Sequence, residues 1–162
     1  MKSTIQDKAK LVNSVFSEVY NKYDLMNDVM SLGIHRVWKD KFIDWMNPSR
    51  NSSLIDVASG TGDIAKLFSL RNKNSPIITC VEPNEDMFKK GQNKLVNFKN
   101  IKWIKSNAET LPVKDNMYDY YSISYGIRNV SDINKTLKEA YRVLKPGGRF
   151  MCLEFSKIDN EL

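Results

Sequence analysis

Ten residues, Leu54-Ile55-Asp56-Val57-Ala58-Ser59-Gly60-Thr61-Gly62-Asp63, narrow the possible folds further than any other stretch. An apolar run carrying one acid ends at a pair of glycines, and a helical pattern starts at once. That order is strand, tight loop, helix, the opening unit of a nucleotide-type α/β site. The glycines let the backbone reach positive φ and let a ligand come close to it. Which ligand that is depends on the acids around them.

Around this unit the chain alternates. Residues 5–20 place Leu11, Val12, Val15, Phe16 and Val19 at helical spacing. That helix either packs on the domain or faces a hydrophobic substrate or a membrane as a lid. Ser31 and Gly33 mark a break, and Ile34 to Met46 reads as a second helix with Val37, Trp38, Phe42 and Trp45 on its apolar side. Asn47-Pro48-Ser49-Arg50-Asn51-Ser52 is a loop and the natural boundary between an N-terminal helical cap, residues 1–50, and an α/β core, residues 51–162. In the core, strands are expected at 54–58, 77–82, 101–105, 118–124 and 150–155, with helices at 62–71, 84–96 and 131–144 between them. Pro83 and Asn84 suit one helix start; Ser131, Asp132 and Asn134 are candidate caps for another. Lys145-Pro146-Gly147-Gly148 reads as a turn before the last strand. Continuous apolar strands alternating with helices imply a parallel sheet covered on both faces.

Composition excludes several classes. The 162 residues suffice for one domain with a real core, and 41% hydrophobic with 27% charged residues is ordinary for a globular chain. No apolar run approaches the roughly 18 residues of a membrane-spanning helix, and no signal peptide is evident at Met1. Cys80 and Cys152 sit in apolar strand-like runs and read as buried thiols of a reducing compartment. A single histidine and no Cys/His cluster give no zinc site. The net charge of +6 comes from scattered lysines, among them Lys8, Lys22, Lys39, Lys41 and Lys89. These read as a solvated basic surface, with attraction to anionic lipid as the alternative and no nucleic-acid platform.

Gly60, Gly62 and Ala65 fit a G-x-G-x-x-G/A dinucleotide pattern, with Glu82 following Gly62 by 20 residues. Asp63, however, sits where the helix N-terminus would hold a diphosphate, and Asp56 adds a second acid. These acids favour a cationic ligand carrying an ammonium and no phosphate. S-adenosylmethionine is such a ligand. Glu82, at the end of the second strand, is placed to accept both ribose hydroxyls or is a solvated carboxylate. Asn107-Ala108-Glu109 could meet an adenine edge or be a surface loop.

Several blocks appear together and in order: Tyr23-Asp24-Leu25-Met26-Asn27 through His35-Arg36-Val37-Trp38, the Asp56-to-Asp63 loop, Asn107-Ala108-Glu109, Tyr125-Gly126-Ile127-Arg128-Asn129-Val130, and Arg142-Val143-Leu144-Lys145-Pro146-Gly147-Gly148 through Leu153-Glu154-Phe155-Ser156. Together they resemble the ubiquinone/menaquinone biosynthesis C-methyltransferases. Met30 to Asp40 is most similar to the eukaryotic mitochondrial member, which methylates a ring carbon of 2-methoxy-6-polyprenyl-1,4-benzoquinol. The resemblance implies a Rossmann-like class I methyltransferase core of five parallel strands in the order 3-2-1-4-5, without the usual strands 6 and 7. It implies S-adenosylmethionine held by Asp56, Gly60, Thr61, Gly62, Glu82, Asn107, Ala108 and Ser124. The family usually has Asp where Glu82 stands, and often a further glycine at Ser59. Implied partners are a polyprenyl benzoquinol, the matrix face of the mitochondrial inner membrane and other quinone-biosynthesis proteins, with a homodimer open and no nucleic acid.

Carbon methylation of a quinol needs its hydroxyl ionised. Arg128, after the fourth strand, lies at the carboxyl edge where α/β sheets bind ligands. A guanidinium is a poor base, so it is expected to stabilise the quinolate, or else to pair with a nearby acid. His35 is expected to be structural, and Tyr23 and Asn129 are candidates for the substrate wall. The alternatives to a quinol methyltransferase are a second enzyme reading, an NAD-dependent oxidoreductase, and a donor-binding scaffold without turnover.

Overall fold

The computed structural model describes residues 34–72 and 77–155. The expectations for residues 5–20 and for Tyr23 to Gly33, including the candidate wall residue Tyr23, fall outside them. In chain order come α1 (Ile34–Met46), β1 (Leu54–Val57), α2 (Asp63–Arg71), β2 (Ile78–Val81), α3 (Glu85–Lys94), β3 (Ile101–Ile104), β4 (Tyr118–Ser124), a 3-10 turn (Ile127–Asn129), α4 (Ile133–Val143) and β5 (Leu144–Leu153). All strand pairs are parallel, and the sheet order is β3-β2-β1-β4-β5. This is the expected order.

Two of the inner strands, β1 (Leu-Ile-Asp-Val) and β2 (Ile-Thr-Cys-Val), are buried at every position. Helices cover both faces, so alternation of polar residues has no place there. On one face Ile55, Val57, Val81, Tyr121 and Ile123 pack with Ala140 and Val143 of α4. On the other, Leu54, Ile78, Cys80 and Tyr120 pack with Phe42, Ile43 and Met46 of α1 and Ile64 and Phe68 of α2. Asn84 caps α3, its side chain accepting from the N–H groups of Asp86 and Met87 at 3.1 and 3.0 Å. Asp132 caps α4 through the N–H of Lys135 at 3.0 Å.

Three expectations change. First, α1 buries His35, Phe42, Ile43 and Met46, while Val37 and Trp45 are 56% and 80% exposed. The buried stripe runs 35-39-42-43-46, and the cation Lys39 in its middle breaks the apolar pattern that would have shown it. Second, Lys145-Pro146-Gly147-Gly148 is not a turn outside the sheet. Tyr118 pairs with Leu144 and Tyr120 with Arg149, so the four residues bulge out within β5. Gly147 takes φ +79°, and a Cβ on Gly148 would lie 2.9 Å from the Lys145 carbonyl oxygen. Third, only Cys80 is buried; Cys152 is exposed on β5, the outer strand of the described sheet.

Candidate cofactor site at the carboxyl edge of the sheet

The loop after β1 bends sharply. Ala58, Gly60 and Gly62 all have positive φ, at 53°, 57° and 81°. Ser59 is tied to β2, its N–H donating to the Val81 carbonyl at 3.1 Å. A Cβ on Gly60 would meet nothing within 4 Å, so its glycine leaves the backbone open to a ligand. Gly62 differs. A Cβ there would come within 2.6 Å of Leu95 and 3.1 Å of the Trp103 ring, and one on Gly91 would clash with the same ring. These two glycines form a notch for Trp103, which locks the loop to α3 and β3.

Beside the loop is a small cleft of about 50 Å³, lined by Lys39, Asp56, Ser59, Gly60, Thr61, Asp63, Ser124 and Tyr125 among others. Of the expected site residues it brings together Asp56, Gly60, Thr61 and Ser124. Asp56 is 1% exposed; its Oδ1 accepts from the Ser122 hydroxyl at 2.6 Å, directly opposite in the β1–β4 register. Its Oδ2 and the Ser124 hydroxyl have no partner among the described residues. Burial pushes the Asp56 carboxyl up to about 7 against the Ser122 bond, which lowers it.

Glu82 is buried, not solvated, and reaches the glycine loop. Its Oε2 accepts from the Gly60 N–H at 2.8 Å and its Oε1 from the Asn84 N–H at 2.9 Å. Burial raises it to about 7, with the two backbone bonds opposing the rise. Asn107 is exposed and Ala108 buried, beyond the end of β3. Glu109 serves the framework, accepting from the N–H groups of Ser131 and Asp132 at 2.6 and 3.2 Å. Arg142 clamps the same loop by donating to the carbonyls of Leu111 and Val113 at 2.9 and 2.8 Å.

Asp63 does not carry the charge argument made from the sequence. Lys39 Nζ lies 2.7 Å from its carboxylate and Lys94 Nζ binds the other oxygen. Although burial opposes it, these two ammoniums hold the Asp63 carboxyl well below the usual range. Two cations meet one anion, so the start of α2 does not repel a phosphate. Lys39 is only 14% exposed at its side chain, not part of a solvated surface. Sequence reasoning missed it, although its place between His35 and Phe42 on a helix was a usable signal.

Arg128 pairs with Glu154 at 3.3 Å and lies 5.5 Å from the centre of the Phe155 ring. Phe155 stacks on Tyr125 at 5.0 Å and meets Trp38 edge-on at 5.5 Å. An aromatic wall of Tyr125, Phe155 and Trp38 thus runs from the cleft to Arg128, bringing together residues from three separate sequence blocks. His35 is buried in α1. Among the described residues no group of three His, Cys, Asp or Glu could hold a metal, and no helix is long and apolar enough to cross a membrane.

Known proteins agree with this layout. The chain is 52% identical over 162 residues to the ubiquinone/menaquinone biosynthesis C-methyltransferase UbiE of Rickettsia bellii, covering 96% of this chain and 65% of that protein. It is 54% identical over 157 residues to the UbiE of Rickettsia prowazekii, covering 93% and 63%. It therefore spans about two thirds of the length of these relatives. They are bacterial, and the expected link to the mitochondrial member draws no support from them. A SAM-dependent methyltransferase from Aquifex aeolicus superposes with a TM-score of 0.69 at 21% identity, over 76% of this chain and 67% of that one, which shows the class I fold. The family model described as the ubiE/COQ5 methyltransferase family matches residues 2–162, and the chain belongs to that family.

Proposed function

We propose that this chain is an S-adenosylmethionine-dependent C-methyltransferase of ubiquinone or menaquinone biosynthesis, acting on a ring carbon of a polyprenyl quinol. The observation that carries this reading is Glu82, a buried carboxyl held by the N–H groups of Gly60 and Asn84 at the carboxyl end of β2. The fold binds its ligands at that edge, and the family and the class I fold imply S-adenosylmethionine. The residues fit it. The open Oδ2 of Asp56 suits an ammonium, the open hydroxyl of Ser124 suits a polar group, and the space beside Gly60 admits a close approach.

When bound, S-adenosylmethionine supplies an electrophilic methyl group on a sulfonium. Glu82 holds the ribose hydroxyls, Asp56 the ammonium, Asn107 and Ala108 the adenine edge, and Gly60, Thr61 and Gly62 shape the backbone cradle. Positioning of this kind can be worth roughly 7–11 kcal/mol of barrier in favourable cases. Arg128 stabilises the quinolate. Its pair with Glu154 does not preclude this: Arg128 is 52% exposed, and such pairs contribute about 0–1 kcal/mol. An incoming oxyanion can replace or share it. The quinol, a homodimer, other quinone-biosynthesis proteins and peripheral attachment to a membrane complete the proposal, with the mitochondrial inner membrane as its most specific form.

Turnover of a short-chain quinol analogue tests it. Arg128→Ala should lose at least about 100-fold in kcat, the scale of removing one oxyanion stabiliser, with donor affinity nearly intact. Undiminished turnover would remove Arg128 from the mechanism. Glu82→Ala should weaken S-adenosylmethionine binding by roughly tenfold or more in calorimetry, as expected for losing hydrogen bonds to a charged group. Donor binding without any turnover would favour the scaffold instead.

A further inference from the structure

The cleft has a charge that the roles above do not use. Lys39 and Lys94 share one carboxylate, that of Asp63, and the ion pairs among the described residues give neither lysine another. Lys94 also donates to the Thr61 hydroxyl at 3.0 Å, so it has two partners without Lys39. Lys39 reaches the cleft from α1, is largely shielded from water, and lines the same wall as Asp56 and Ser124. Lys39 favours the ionised form of the buried Asp56 carboxyl in the same cleft, against the pull of burial. One side of the cleft therefore offers a shielded ammonium, and its floor offers a carboxylate oxygen with no partner among the described residues. This pairing is complementary to a zwitterion.

We infer that Lys39 binds the carboxylate of the donor's amino-acid group, next to Asp56, which takes the ammonium. This rests on the donor reading above and adds a residue from outside the glycine loop. Lys39 can turn from Asp63 toward the ligand because Lys94 remains to neutralise Asp63. The other role open to Lys39 is a staple fastening α1 to the start of α2.

Calorimetry with two ligands separates these roles. S-adenosylhomocysteine carries the amino-acid group, and 5′-methylthioadenosine keeps the nucleoside and lacks it. Lys39→Met should bind the first about tenfold more weakly or worse, the loss expected for a charge-assisted bond, and the second within about twofold of wild type. Lys39→Arg should recover most of the lost affinity. Equal losses for both ligands, or none for either, overturn the assignment and leave a staple. If wild type binds neither ligand, the donor reading itself has failed. Should the Met variant not fold, the decarboxylated analogue of S-adenosylhomocysteine on wild type reads the same contact. Affinity equal to that of the parent overturns it, and a loss of about tenfold supports it.

Discussion

Asp56 and Glu82 are carboxyls that folding takes out of water and moves up to about 7. Unfolded, they titrate near 3.9 and 4.3, so between about pH 4 and 7 the folded chain binds more protons than the unfolded one. Their contribution to stability is present below about pH 4 and is lost as pH rises through 7. Asp63 runs the other way: its folded value is depressed, so its contribution is present above about 3.9 and is lost as pH falls. Between pH 5 and 8 the Asp63 contribution is constant and the two raised acids decide the slope. The melting temperature should therefore fall from pH 5 to 8. Asp56→Asn should flatten that fall, removing at most roughly 3 kcal/mol of pH-dependent free energy over that range. A profile as steep as wild type in the variant would contradict this. An ammonium beside Asp56 favours its ionised form, so wild-type affinity for S-adenosylhomocysteine should rise between pH 6 and 8 and change less in Asp56→Asn.

At the scale of elements, α1 shows how one polar residue hides a helix face. Its extent, Ile34–Met46, follows from the sequence, but its buried side does not. Trp38 and Trp45 look like core residues; instead they line a groove with Phe150, Met151 and Leu153 of β5. Phe42→Ala should cost about 3–5 kcal/mol in chemical denaturation, because Phe42 is 5% exposed inside the core. Trp45→Ala should stay within about 0.5 kcal/mol. A cost at Trp45 as large as that at Phe42 would restore the sequence-based face, which held both. The Lys145–Gly148 segment gives the same lesson. Its Pro and Gly residues signal a turn, and only the register of β4 against β5 shows them as a bulge inside a strand. Pro83 and Asn84 mark the start of α3 in the sequence, and of the two Asn84 is the cap, because its side chain can accept the free N–H groups.

For the whole molecule, the sheet order sets the gradient of protection. β2, β1 and β4 lie inside, each paired on both sides, while β3 and β5 are the outer strands of the described sheet. Amides of Ile55 to Val57 and Tyr121 to Ile123 should exchange most slowly, and those of β3 and the outer edge of β5 much faster, read by native-state hydrogen exchange. Slowest exchange in β3 or β5 would contradict this topology. The sequence by itself determined the alternating α/β order, the positions of the first four strands, the glycine loop and the family, since each rests on local periodicity, turn chemistry or a run of consecutive residues. The tertiary structure alone decided which charges meet. Lys39 and Lys94 are 24 and 31 residues from Asp63, yet they cancel the acid that seemed to define the site. The Gly60 N–H is 22 residues from the Glu82 carboxylate it holds. Charge pairing and burial depend on distance through space, which no local pattern along the chain encodes.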